Sequence, residues 1–365
     1  MGEILGIGAP HNPMVCWNDQ RMAHGHEVVM RAPKIAPRYP DRAAWPAPLL
    51  ADLGADQGLS TSHRYHEAYR RNFLKLQRVI AGFKPDFMII VGDDQYENFT
   101  EEIIPPFCVF GLEDRVEIRP WSHGVGGKGL NQWGEPEDYV FTLRGHREAA
   151  KYITTALIES GFPMPYAYKL RHLSHAFVNP MLFLDWERTG FAVPIVPIQV
   201  NCYGSSVLVA KGFVDHLYHD LAAAGSPDPP APTATGCWNL GLMLADLLER
   251  SSYRVVIMGS ANLSHSFLAS RTGYVLCDLE ADRRVIEALE EGHLRYLASL
   301  SKEEIEETGL HEILNWTVLA AAMDRLGYQC MLQDYLGDNH MFLSTACWAW
   351  FGAPARLAEI KAQTA

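Results

Sequence analysis

The sequence predicts an α/β protein: a central, mostly parallel or mixed sheet flanked by helices on both faces. Three observations predict it. Short apolar runs of strand length alternate along the chain with longer runs of helical periodicity. Phe87–Val91 (FMIIV) is apolar at every position, as a buried strand is. Histidines follow three strand-like runs, at the carboxyl-end edge where open α/β sheets bind ligands.

Glu3–Pro10 (EILGIGAP) is the first strand and runs into His11-Asn12-Pro13. From Cys16 to Ser60 the prolines at 33, 37, 40, 46 and 48 oppose long regular elements. Ser62–Ala81 is amphipathic, with Tyr65, Tyr69, Phe73, Leu74 and Leu76 spaced for one helix face. Phe87–Val91 ends in the polar cluster Gly92-Asp-Asp-Gln-Tyr-Glu-Asn-Phe99, and Phe107–Phe110 is a further short strand. Glu113–Pro136 reads as a long glycine-rich loop carrying Trp121, His123 and Trp133. Arg144–Ser160 is a helix. Tyr166–Leu170 is strand-like and leads into His172-Leu-Ser-His175. Val193–Val200 is a strand and Lys211–Ala224 a helix. Pro227–Pro232 is a surface loop, after which Trp238–Arg250 resumes helix. Arg254–Met258 is a strand ending in Gly259-Ser-Ala-Asn-Leu-Ser-His265, and Asp282–Leu300 and His311–Leu326 are helices. There is no internal repeat, and one domain over residues 1–365 is expected.

Composition narrows the function classes. With 48% hydrophobic and 20% charged residues, the 365-residue chain can fill a sizeable core. Its net charge of −12, with no basic stripe, argues against nucleic acid or an anionic membrane as partner. The seven cysteines form no CxxC pair, and Met1-Gly2-Glu3 enters a strand directly. Reduced thiols in a cytoplasmic protein are therefore expected. No apolar run reaches the roughly 18 residues of a membrane span.

Several residues could carry chemistry. His11, held in a tight turn by Pro13, suits a metal ligand. Asp93, Asp94 and Gln95 close the second main strand; an acidic pair there can ligate a metal, raise a neighbour's pKa or cap the next helix. His175 and His265 lie in matching surroundings, Leu-Ser-His-Ala-Phe and Leu-Ser-His-Ser-Phe. Glu312 opens an apolar helix with little polar face, which makes it a dipole partner or a buried ligand.

Taken in order, these segments resemble the type II (LigB-like, class III) extradiol ring-cleavage dioxygenases. The similarity begins with the strand-His-x-Pro at His11. It continues through Pro85–Phe99, where that family has a Pro-Asp, an apolar strand and an Asn-Asp-His a few residues before a Phe. Ser174-His175 with Pro180, the Val193–Asn201 run, Gly259–His265 and Glu312-Ile-Leu-Asn-Trp316 follow in the family's order.

The resemblance implies Fe(II) held by His11 and Glu312, His265 as acid–base residue, and His175 as a second histidine that orients substrate or stabilises oxygen. The family's second histidine ligand falls on Gln95. Gln95 can ligate in its place, Asp94 or Asp93 can take the role, His63 or His66 can reach in from the preceding helix, or the site has lost its metal. His123 and Asp94 are the candidate substrate contacts, with the glycine-rich loop as a lid. The expected reactants are O2 and an aromatic small molecule of catechol or 2-aminophenol type. The expected assembly is a homo-oligomer. The rival reading is a non-redox metal-dependent hydrolase or lyase, or a binding protein, on the same fold.

Overall fold

The computed structural model describes residues 2–122, 130–219 and 226–364. Strands β1 (Glu3–Ala9), β2 (Phe87–Asp93), β3 (Phe107–Phe110), β6 (Tyr166–Ala167), β7 (Ile195–Val200), β8 (Arg254–Ser260), β9 (Gln329–Leu336) and β10 (Ala346–Gly352) form one sheet. Its order is β6-β3-β7-β2-β8-β1-β10-β9. The central strands β7, β2, β8 and β1 are parallel neighbours, while β10 runs antiparallel to β1, β9 to β10 and β3 to β7. The sheet is thus mixed, with a parallel centre. β4 (Val116–Ile118) and β5 (Phe141–Leu143) pair as a separate ribbon.

The helices that matter for the site are α1 (Leu59–Phe83), α2 (Arg147–Glu159), α3 (His175–Leu184), α4 (Ala234–Glu249), α5 (Leu279–Glu290), α6 (Ile313–Arg325) and α7 (Pro354–Thr364). Side chains alternate across a strand, so adjacent positions report opposite faces of the sheet. A Cβ on Gly92 would meet Ala176 and Phe177 of α3. One on Gly259, which sits level with Val91, would meet Trp316 and Leu319 of α6. Helices therefore cover both faces.

One packing detail fixes α6. Gly8 of β1 and Gly259 of β8 are register partners, and both face Trp316. A Cβ at Gly8 would come within 2.4 Å of the indole. The glycine pair makes a slot for the ring, and the ring seats the first turn of α6, with Glu312 just before it, against the carboxyl ends of the central strands. Buried apolar residues from Ile4 to Ile360 form one cluster around this sheet.

Several elements differ from expectation. His175 opens α3, and only Tyr166–Ala167 of the preceding strand-like run pairs in the sheet. The expected loop Glu113–Pro136 contains β4. Lys211–Ala224 yields only a short turn of helix at Asp215–Tyr218, and residues 220–225 are not described. The helix expected over Asp282–Leu300 stops at Glu290, because Gly292 turns the chain at φ +74°. β9, β10 and α7 had no counterpart in the sequence reading. Among the described residues, no helix is long and apolar enough to cross a membrane.

Candidate metal centre

The carboxyl ends of β1, β2 and β8 converge on the N-terminus of α6. There His11, Asp93 and Glu312 offer ligand atoms that all lie within 4.8 Å of one another. His11 is 1% exposed and the two carboxylates 0%. His11 Nε2 stands 3.3 Å from Glu312 Oε2 and 3.7 Å from Asp93 Oδ1.

The hydrogen-bond network orients His11. The Ser260 hydroxyl donates its one proton to the Ala176 carbonyl at 2.7 Å. It must therefore accept from His11 Nδ1, 3.0 Å away. That turns Nε2 toward the two carboxylates, where its lone pair would meet a bound metal ion. His11 Nε2 and Asp93 Oδ2 are buried without a hydrogen-bond partner. Lone pairs crowded together in a dry site repel one another unless a cation sits between them. A neutral imidazole braced on its far nitrogen, beside carboxylates, is the arrangement of a metal ligand. The donor set fits a divalent metal ion.

Glu312 is the hub. Its Oε2 accepts the backbone N–H of Asn262 at 2.7 Å. Its Oε1 accepts the Tyr203 hydroxyl at 2.9 Å and lies 3.1 Å from His265 Nε2. Burial pushes the Glu312 pKa up, but His11 and His265 outweigh burial and hold the carboxyl well below its usual range. Burial and the neighbouring Glu312 push Asp93 up to about 6. Asn315, one turn after Glu312, donates to Asp93 Oδ1 at 3.1 Å and to the Ser260 carbonyl at 3.0 Å, so one helix positions both carboxylates.

Two histidines flank the trio. The His175 ring meets the His11 ring edge to face, with centroids 5.0 Å apart. Its Nδ1 is 2.9 Å from Glu97, and its Nε2 is buried without a partner. Burial alone would lower the His175 pKa; Glu97, and after it Asp93 and Glu312, raise it to about 9. At His265 burial again works against the charged ring, and Glu312 outweighs it and raises the pKa. The His265 backbone presses on Gly309, where φ is +71° and a Cβ would come within 2.4 Å of the His265 carbonyl oxygen. Only glycine fits there.

A cleft of 860 Å³ opens beside His175, lined among others by Tyr96, Glu97, Trp121, Tyr168, Arg171 and Asn179. A hollow of 650 Å³ lies at the opposite edge of the sheet, near Pro85 and Pro194, and contains none of the residues above.

Two sequence expectations change. Gln95 does not present an oxygen to the trio: its Nε2 lies 2.6 Å from Tyr203 Oη and 3.4 Å from Glu312 Oε1. Asp94, a candidate substrate contact, caps the turn after β2. It accepts the backbone N–H groups of Glu97, Asn98 and Phe99 and the Ser174 hydroxyl, because the turn after β2 leaves those donors otherwise unmet. His66 is held by Asp19 and the Val15 carbonyl, and His63 by Asp19, so neither joins the trio. His123 lies outside the described residues.

Sequence reasoning passed over Tyr203, Asn262, Asn315 and Glu97. Asn315 carried a usable signal, the i,i+3 spacing from Glu312. Tyr203 carried a weaker one, lying three residues past a buried strand.

Residues 228–346, about a third of the chain, match the family profile of the catalytic LigB subunit of aromatic ring-opening dioxygenase. That span holds His265 and Glu312. The 2,3-dihydroxyphenylpropionate/2,3-dihydroxicinnamic acid 1,2-dioxygenase of a Rhodococcus species is 24% identical over 293 residues, covering 73% of this chain and 85% of the relative. The chain is also 25% identical over 280 residues to the protein of the same name from Rhodococcus jostii (strain RHA1), covering 70% and 81%. Among solved structures, an uncharacterized protein of Escherichia coli K12 is similar at TM-score 0.47 and 12% identity, covering 78% of this chain and 92% of that one.

Proposed function

We propose that the protein is a non-heme Fe(II)-dependent extradiol dioxygenase that opens the ring of a catechol-type or 2-aminophenol-type substrate with O2. The observation that carries this reading is the convergence, at one dry edge of the sheet, of His11, Asp93 and Glu312 with two flanking histidines. The LigB likeness and the relatives named as dihydroxyphenylpropionate dioxygenases support it. When bound, Fe(II) supplies the redox chemistry that lets O2 react with an aromatic ring, with open positions for substrate and oxygen.

The chain's own residues supply the rest. His11 and Glu312, with a third donor from the Asp93–Gln95 turn, hold the ion. His265, 3.1 Å from Glu312, is placed to take a proton from a substrate hydroxyl and return it later in the reaction. His175 offers its unpartnered Nε2 to a bound oxygen atom, with Glu97 steadying the ring. Tyr96, Trp121 and Tyr168 give the cleft aromatic walls for a planar ring.

The test is anaerobic reconstitution with Fe(II), followed by oxygen uptake and absorbance of ring-opened products over a panel of catechols and 2-aminophenols. The expected result is stoichiometric oxygen consumption with at least one substrate. Metal-dependent hydrolysis or lysis with no oxygen uptake would favour the non-redox reading, to which a carboxylate-rich centre is also suited.

A further inference from the structure

The turn after β2 carries two groups that compete for one role, and the hydrogen bonds separate them. The Tyr203 hydroxyl has one proton, and it goes to Glu312 Oε1 at 2.9 Å. Its lone pairs must then accept from Gln95, whose amide nitrogen lies 2.6 Å away. The same nitrogen is 3.4 Å from Glu312 Oε1. Turning the amide over would set its oxygen against a carboxylate oxygen and a hydroxyl that has no proton left to give. Gln95 is therefore a strut, with Tyr203, behind Glu312.

Asp93 has the opposite environment. Asn315 holds its Oδ1 at 3.1 Å, and its Oδ2 is fully buried with no partner. His11 Nε2, also buried and without a hydrogen-bond partner, lies 3.7 Å from Asp93 Oδ1 and 3.3 Å from Glu312 Oε2. We propose that Asp93 is the third metal ligand in place of Gln95, and that the resulting one-imidazole, two-carboxylate centre favours Mn(II) relative to Fe(II) more than a two-imidazole centre would. Carboxylate oxygens suit Mn(II), whereas imidazole nitrogens suit Fe(II). Two anionic ligands also neutralise a divalent ion completely. The proposal rests on the metal-holding part of the function above and not on ring cleavage.

The chain itself suggests the decisive variant. Where the LigB-like pattern reads Asn-Asp-His, this chain reads Asp93-Asp94-Gln95. Asp93→Asn with Gln95→His rebuilds two imidazoles and one carboxylate. Chelator-stripped full-length protein is titrated anaerobically with Fe(II) and with Mn(II). Asp93→Asn should weaken both metals by more than the roughly 100-fold that loss of an outer partner can cost, and Gln95→Ala by about tenfold or less. The double variant should regain Fe(II) and remain weak for Mn(II), raising the preference for Fe(II) by about tenfold or more.

Loss of binding in Gln95→Ala with binding kept in Asp93→Asn would overturn the ligand assignment. An unchanged metal preference in the double variant would overturn the selectivity. If Asp93→Asn does not fold, crystals of the unsubstituted protein with Mn(II) read the ligands directly, and metal without Asp93 in contact overturns the proposal. Failure of the unsubstituted protein to bind either metal would overturn this proposal together with the reading beneath it. Metal binding through Asp93 without oxygen uptake would sink the ring-cleavage reading alone.

Discussion

Asp93 and Asp282 are both fully buried, and burial raises both to a pKa of about 6. Their surroundings differ. In the first turn of α5, Asp282 accepts the Ser264 N–H at 2.9 Å and the Tyr335 hydroxyl at 2.7 Å, one on each oxygen. Asp93 has one oxygen held by Asn315 and the other buried with no hydrogen-bond partner. One carboxylate fastens a β-strand to the turn that carries His265; the other is kept open. A raised pKa marks burial in both, so it does not by itself separate a structural acid from a ligand. The unmet oxygen does.

The largest effect expected is at the hub. Glu312→Ala should remove most metal binding, since it deletes one ligand and frees His265, Tyr203 and the Asn262 N–H at once. Metal content by elemental analysis checks this, and unchanged content would mean that the trio is not the metal site. Asp282→Ala should do the reverse. Stranding two buried donors should lower stability by about 2–5 kcal/mol, read by denaturant unfolding, while metal affinity stays within a few-fold. Loss of metal in that variant would erase the distinction between the two acids.

A finer test concerns turnover. His265→Phe should keep the metal and lower turnover by roughly 10²–10⁴-fold, the range for a lost acid–base residue. His175→Phe should also keep it, with a smaller loss. Steady-state rates with the metal content measured alongside separate these outcomes. Near-normal turnover in His265→Phe would make that histidine structural.

The smallest effect is in pH dependence. Asp282 binds its proton more tightly folded than unfolded, so its contribution to stability is complete below about pH 4 and fades as pH rises through about 6. Asp282→Asn does not titrate. Its stability relative to the unsubstituted protein should therefore rise between pH 4 and 7, by at most on the order of 3 kcal/mol. Unfolding curves at both ends of that window test it, and a flat difference would show that Asp282 ionises without penalty.

Much of this architecture could be read before any coordinates. The apolar runs at 87–91 and 254–258 are strands because they are covered on both faces, and the histidine and acidic residues after them lie at the ligand-binding edge for the same reason. Glu312 was legible as a polar residue opening an apolar helix. The exchange between Asp93 and Gln95 was not, because residues two apart share a face only while a strand continues, and which of them reaches the trio depends on where β2 ends and how Asp94 bends the turn. Tyr203 was hidden likewise, since its proton matters only once Glu312 is beside it. β10 was passed over although Ala346–Gly352 is as continuously apolar as Phe87–Val91, whereas β9 is a partly exposed edge strand whose mixed run Gln329–Leu336 shows no clean alternation.

The order of strands across the sheet has a consequence for biosynthesis. β1 lies between β8 and β10, both made long after it. One of its hydrogen-bonding edges stays bare until β8 has been made and the other until the ribosome has passed Gly352, and both pairings span most of the chain, which makes them slow. The three candidate ligands share this schedule: His11 emerges early and waits for Glu312. The proposed metal pocket cannot form before Glu312 has been made, so loading with metal would follow synthesis of α6.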